Sequence, residues 1–509
     1  MDLHLPVLLL LCLSGQALMD DDTIPPEDGD TDPQDFQDIF VESTIGDNID
    51  LKTTTVPLPP TTLPHSPAPT HDPPEYFYTP TTWQPTTTTS GPTPDYFLAM
   101  SPGAPEGSSS EEESPEQECR GGVPRREAQK ALGAAVTTFG LELLQQLLSR
   151  SKEPNIVVSP LSVALALSQL ALGAVNETEA LLLRSLHVDK VACYHSQMKS
   201  LLQHLSQSSL AVATRTYLSP GFKVNRKFIE DSWNMYGSEP APLKDAEDIN
   251  RWVEEVTKGR VKNFLSTLPS NMVLVLINAL HYKGVWRTQF DPRMTTTDLF
   301  YLDRNTAVPV DMMVGPKYPL RLHTLGELNT QVARFQFKGN MSLLTFVPLV
   351  GQLNVSAIAD HFNASELYSR FSRERPMSVK LPKLNLEYSQ DLREVFTAMG
   401  LGELFSGPDL SGIGPGPLLV SSVQHKSTME VNEQGAEAAA ATSVVISRSS
   451  FFFSLNRPFF FALLDDTSHT PLFLGVVTNP NPGAPLVKKD DPDKFGPRFS
   501  KQYGHPNPK

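Results

Sequence analysis

Between Val431 and Ser449 the chain reads VNEQGAEAAAATSVVISRS, and no strand chosen for stability alone is written this way. Alanine has no side-chain entropy to lose and is small enough to join the middle of a sheet. It is also a poor strand former, and the same composition suits a helix. Read alone, the block leaves strand and helix both open. The downstream residues narrow the choice: after Arg448 come Ser449-Ser450-Phe451-Phe452-Phe453, then NRPFFFALLD and TPLFLGVVTNP. The last two are short apolar runs bounded by turn residues, the pattern of buried strands. A small-residue segment, an arginyl bond and two closing strands thus succeed one another.

That succession resembles the reactive loop of the serpins, and the likeness extends over roughly residues 125 to 480. NIVVSPLSVALALSQLALGA (Asn155 to Ala174), INRWVEEVTKGRVKNF (Ile249 to Phe264) and LINALHYKGVW (Leu276 to Trp286) match the family's long signatures in order. VKLPKLNLEYSQDLREVFTAMGL (Val379 to Leu401), FSGPDLSGI (Phe405 to Ile413) and VQHKSTMEVNEQG (Val423 to Gly435) complete them. The resemblance implies an α+β serpin fold over 119–480, with three β-sheets, eight or nine helices and an exposed reactive loop at about 435–455. It implies a hinge at Gly435, Ala436, Glu437, Ala438, Ala439, Ala440, Ala441 and Thr442, and a reactive bond between Arg448 and Ser449. Most inhibitory members place the bond one residue further from the hinge glycine, which would make Ser449 the specificity residue. Arginine suits the aspartate of a trypsin-like pocket better. The family often has threonine or serine where this chain has Ala436, and alanine keeps the small, uncharged character.

Ser159, Ser162, Asn278 and His425 together tempt a Ser-His catalytic reading. The chain has no GxSxG elbow or other nucleophile context. By resemblance they form a buried hydrogen-bonded gate beneath the main sheet, and the protein is an inhibitor, with no enzyme activity of its own. No metal spacing and no phosphate loop stand out, and no cofactor is expected. Heparin activation is not expected either, since Tyr194 to Ser208 offers only Lys199.

The 509-residue chain carries a formal net charge of −15. Residues 1–17, with the apolar core LPVLLLLCL and a cut after Ala17, read as a secretory signal, although only His4 offers a basic flank. No later segment reads as long and apolar enough to cross a membrane. Cys119 and Cys193 remain in the secreted chain, either as a bridge or as two separate thiols. A bridge would contribute on the order of 4 kcal/mol by the chain-entropy argument. Sequons at Asn176, Asn340, Asn354 and Asn363 fit glycosylation of a secreted, extracellular plasma protein. Residues 18–118 are acidic, then Thr/Pro-rich, with Lys52 the only lysine or arginine. Such a composition buries too little apolar surface to fold. It reads as a spacer with room for O-glycans, or as an acidic segment with Tyr76, Tyr78 and Tyr96 open to sulfation.

A tail, 481–509, follows the family's usual end near Pro480. Lys494, Lys501 and the terminal Lys509 are spaced by prolines that keep it extended. A terminal lysine joins an ammonium to a carboxylate, the zwitterion that kringle lysine-binding sites accept. Within the family, this arrangement resembles the member that restrains plasmin. The implied partners are plasmin or plasminogen, through kringles and catalytic domain, and trypsin. No nucleic acid, no membrane and a monomer are expected. Another arginine-specific plasma protease is an alternative target, and a non-inhibitory binding or signalling factor is the alternative function.

Overall fold

The computed structural model of the chain describes residues 125–206, 209–269, 271–433 and 452–488. Nine α-helices occur among them: α1 (Arg125–Leu148), α2 (Pro160–Ala171), α3 (Asn176–Ser185), α4 (Tyr194–Leu205), α5 (Arg226–Tyr236), α6 (Ala246–Val256), α7 (Val355–Asp360), α8 (Ala364–Arg370) and α9 (Arg393–Phe396). The first strands are β1 (Asn155–Val158), β2 (Leu210–Leu218), β3 (Ala241–Pro242), β4 (Leu274–Lys283), β5 (Thr296–Tyr301), β6 (Thr306–Leu325), β7 (Thr330–Gln336) and β8 (Met341–Pro348). They are followed by β9 (Arg375–Pro382), β10 (Leu384–Asp391), β11 (Val420–Val431), β12 (Phe452–Ser454), β13 (Phe459–Asp465), β14 (Pro471–Val477) and β15 (Val487–Lys488).

The two apolar runs at the end of the sequence become β13 and β14, buried at every position and paired antiparallel. They lie inside a ten-stranded sheet ordered β1-β14-β13-β8-β7-β6-β9-β12, with β5 and β15 also on β6. The family resemblance implies three sheets, whereas hydrogen bonding groups the strands into two. The reason is β6: its 20 residues pair with β9 over 312–320 and with β7 over 321–325, so one continuous strand belongs to both regions. The second sheet has five strands, ordered β10-β11-β4-β2-β3.

Helix α2 (PLSVALALSQLA) is apolar nearly all round, and all twelve of its residues are buried. A helix of that kind has no solvent face to offer and belongs inside a core. Ser159 starts it, its hydroxyl accepting the backbone N–H of Ser162 at 3.2 Å. Helix α6 is the opposite case, an amphipathic helix begun by Asp245, which accepts the N–H of Asp248 at 2.7 Å. Its buried Ile249 and Val253 pack with Ala213, Tyr217, Val275, Ile277 and Ala279 of β2 and β4, a core separate from the main one. The five-stranded sheet is thus covered on both faces.

Two sequence expectations change. By length and composition the 24-residue α1 could cross a membrane, contrary to the reading that no segment beyond the leader could. Of its apolar window 61% is buried inside the fold, against α2 and β14, which makes it a core helix. The segment read as an extended tail from 481 begins with residues that contact the body. Asn481 Nδ2 donates to the Pro309 carbonyl at 3.0 Å, and Val487 and Lys488 pair with Ala307 and Thr306 of β6.

Helix α1 is seated on the β13–β14 turn at Gly133, where a Cβ would lie 2.3 Å from the Ser468 carbonyl oxygen. Replacing glycine by alanine inside a helix ordinarily stabilises by about 1 kcal/mol. Here the overlap is with backbone, and overpacking costs about 1–3 kcal/mol. Gly133→Ala should therefore lower the urea midpoint, and a raised midpoint would show that the turn yields freely.

Candidate functional site

Within the five-stranded sheet, β10 and β11 are antiparallel and so are β2 and β4, but β11 and β4 run parallel. The two central strands come from parts of the chain far apart in sequence and meet with no strand between them. This seam gathers the polar residues singled out in the sequence. In β11 successive side chains alternate faces, so His425 and Ser427 point towards α2 while Gln424, Lys426, Thr428 and Glu430 point towards α6 or the rim.

On the α2 side the four expected gate residues touch one another, all fully buried. His425 and Asn278 are directly registered partners across the seam. The Ser159 backbone N–H donates to His425 Nε2 at 3.3 Å, so the ring's proton sits on Nδ1 and donates to Asn278 Oδ1 at 2.5 Å. That oxygen also accepts from Ser162 Oγ at 3.3 Å, while Asn278 Nδ2 donates to the Gln424 carbonyl at 2.9 Å. Ser427 Oγ donates to the Val157 carbonyl of β1 at 2.5 Å. Burial keeps His425 neutral and pushes its pKa down to about 3. The set has no exposed hydroxyl and no cleft, and what it does chemically is tie β11 to β4, β1 and the start of α2.

The opposite face carries contacts that the sequence reading missed. Glu430 and Lys283 are registered partners with Oε1 and Nζ 2.8 Å apart. Thr428 faces His281, Oγ1 to Nδ1 at 2.8 Å, and that histidine is pushed down to about 4, first by burial and then by Arg260. Lys426 is 5% exposed. Its ammonium donates to the carbonyls of Lys262 and Asn263 at 3.0 and 3.1 Å and pairs with Glu387 at 2.7 Å. It thereby fastens β11 to the segment after α6. At the end of β11, buried Trp286 stacks on Phe337 at 4.1 Å and donates Nε1–H to the Asn432 carbonyl at 2.7 Å. Glu433 accepts from Thr295 at 2.7 Å and pairs with Lys383 at 3.2 Å. Except for Phe337 and Thr295, these groups lie in the quoted motifs, and the strand's alternation was the available signal for which face each β11 residue takes.

Gly435 to Thr442, Arg448, Ser449 and the tail lysines Lys494, Lys501 and Lys509 lie outside the described residues. Glu433 is the last described residue on the β11 side, and Phe452 opens β12, so the upper end of the expected loop, 452–454, is strand. Cys193 is disulfide-bonded, and Cys119 is outside the described residues. Asn340 stands at a bend, and Asn176, Asn354 and Asn363 at helix starts. Asn354 and Asn363 begin α7 and α8, each accepting a backbone N–H through Oδ1, which leaves Nδ2 for other chemistry.

Residues 134–480 match the family model described as serpin (serine protease inhibitor), and the chain belongs to that family. It is 44% identical over 380 residues to mouse alpha-2-antiplasmin, covering 73% of this chain and 77% of that protein. It is 32% identical over 363 residues to human pigment epithelium-derived factor, covering 69% and 87%. The crystal structure of mouse protein-Z dependent protease inhibitor superposes with a TM-score of 0.64 at 24% identity, covering 70% of this chain and 99% of that one.

The neutral His425 makes the seam acid-sensitive. Its folded pKa of about 3 lies below the ordinary 6.5. Between those values the unfolded chain binds more protons than the folded one, and stability falls as pH falls, by up to about 1.4 kcal/mol per unit for one group. The loss starts as pH drops through 6.5 and runs towards 3. His281 and His195, pushed down to about 4, act with the same sign. Urea unfolding of His425→Gln should show a shallower decline between about pH 6 and 4. An unchanged slope would mean the imidazole is protonated in the fold.

Proposed function

We propose that the chain is a secreted inhibitor of trypsin-like serine proteases, plasmin foremost, that traps its target by loop cleavage and strand insertion and so restrains fibrinolysis. The carrying observation is the parallel β4–β11 pair at the centre of an otherwise mainly antiparallel sheet. A chain that reverses at the end of β11 runs antiparallel to β11, and therefore also to β4. Insertion replaces one parallel ladder by two antiparallel ones, and the parallel ladder is the weaker per residue. The alanines at 438–441 support the same reading, since alternate side chains of an inserted strand enter a close-packed interior.

In the proposed reaction the protease's serine attacks the Arg448 carbonyl carbon. The Arg448–Ser449 bond breaks, and the Ser449 nitrogen leaves with a proton from the protease's histidine. The acyl bond to Arg448 stays intact while the freed segment from Gly435 enters the seam and carries the protease with it, a strained state converted to a relaxed one. The gate residues and the Lys426 contacts separate to admit it. Arg448 fits the pocket aspartate of a trypsin-like protease, and the antiplasmin name of the mouse relative supports plasmin. Lys494, Lys501 and Lys509 engage kringles and raise the local concentration of the loop. A Cys119–Cys193 bridge and glycans on the four asparagines belong to the same extracellular reading.

Mixing the chain with plasmin and running a denaturing gel tests this directly. A covalent complex and a new amino terminus of Ser449-Ser450-Phe451 are expected. Cleavage without complex would favour the non-inhibitory binding role, to which the likeness to pigment epithelium-derived factor lends weight, and a terminus at Ser450 would assign Ser449 to the pocket. Ala438→Asp or Ala439→Arg places a charge inside the sheet at a cost of several kcal/mol. Either should turn inhibitor into substrate. Arg448→Glu should abolish complex formation with plasmin and trypsin alike.

Truncation after Lys488 keeps β15 and removes the three kringle lysines. It should slow association with full-length plasmin and leave the rate with a kringle-less catalytic domain unchanged. Equal slowing with both enzymes would mean that the tail acts on the body.

A further inference from the structure

Strand β12 runs parallel to β9, with Phe452 facing Ser378 and Ser454 facing Lys380. The backbone coming from Arg448 and Ser449 therefore joins β12 at the end of β9 that begins with Arg375. That end of the sheet concentrates positive charge. Arg373 and Arg375 are exposed and take part in no ion pair among the described residues. Lys317, likewise exposed and unpaired among the described residues, sits in the irregularity of β6 between Gly315 and Tyr318. Behind them Arg287 and Arg321 share one carboxylate. Arg287 Nη2 bonds Glu374 Oε2, and Arg321 Nε lies 3.7 Å from the same oxygen. Arg321 faces Glu374 because Leu320 pairs with Arg375 one step earlier.

Two of these five cations thus share one acid, and the other three have no ion-pair partner among the described residues. Elsewhere on the surface, several helix cations carry their own counter-charges, as in Arg226–Glu230, Lys227–Asp231 and Arg370–Glu366. Like charges left unpaired repel one another and contribute nothing to the fold. Their position beside β12, the strand that follows the expected reactive bond in the chain, gives them a use. In the proposed reaction the protease acts four residues before β12 begins, a distance in sequence short enough for the rim of its active site to reach this end of β9.

We propose that Arg373, Arg375 and Lys317, backed by Arg287 and Arg321, form a second docking surface that receives an acidic patch beside the active site of the attacking protease. The proposal rests on the inhibitory reading above and names residues that set which protease is caught fastest. Exposed charges at the rim of an interface act chiefly on the association rate, by steering the encounter, and their effect is screened by salt.

The full chain carrying Arg373→Glu and Arg375→Glu should associate with plasmin about tenfold more slowly at low ionic strength. The two rates should converge near about 0.5 M salt, where the screening length falls to a few ångströms. The milder Arg373→Gln with Arg375→Gln should fall between, and the thermal midpoint checks that both variants are folded. An unmodified chain that forms the covalent complex, with variants matching its rate and salt slope, overturns the docking surface while the inhibitory reading stands. A rate difference that appears only when a sulfated polysaccharide is added also overturns it, because the cations would then serve that polymer. Failure of the unmodified chain to form any complex overturns the inhibitory reading and this surface with it.

Discussion

The structure depends on one joint, the parallel contact of β11 with β4. Each of these two strands has an antiparallel neighbour on its other side, so the two halves of the sheet meet in parallel along this line. Fully buried groups hold it from the α2 side, where Asn278 serves His425, Ser162 and the Gln424 carbonyl at once. In a water-free interior each of these bonds matters twice, because a broken one leaves an unsatisfied polar group at about 1–3 kcal/mol. The seam is therefore cooperative: it stays closed while every member is partnered, and parting it costs most at the first break.

The outer face works differently. Lys283–Glu430 and His281–Thr428 bridge the two strands, while Lys426 reaches past the seam to the backbone after α6. An incoming strand can replace the ladder hydrogen bonds of β4 and β11. It cannot replace these side-chain bridges, since its own side chains are mostly methyl groups. In the proposed mechanism insertion must therefore lift the segment after α6, and the small second core beneath α6, separate from the main one, suits a cover that moves without unpacking the rest.

Much of this was legible in the sequence. The two closing strands announced themselves as unbroken apolar runs, while α2 lies in a stretch that was matched through the family resemblance. The four gate residues were found through the family motifs. Local pattern does not place them, because inward-facing polar residues in a buried strand make sense only with their partners, and Ser159 lies 266 positions from His425. Lys426 and Trp286 were missed for the same reason, since their partners are backbone carbonyls that carry no sequence signature. The sheet count differed because strand continuity through β6 is a matter of hydrogen bonding, not of composition. Helix α1 passes for membrane-spanning on apolarity alone, and only its neighbours distinguish it from a core helix.

The central claim is that the seam is a vacancy awaiting a strand. The most direct test compares the thermal midpoint of the intact chain with that of the same chain nicked once between 442 and 448 by a protease it does not trap. Nicking an ordinary loop leaves the midpoint unchanged or lowers it. If the freed segment fills the seam, the nicked protein should melt tens of degrees higher, since each 1 kcal/mol moves a large domain by about 2–4 °C and a whole strand has been added. A nicked protein that melts at or below the intact one would contradict the account.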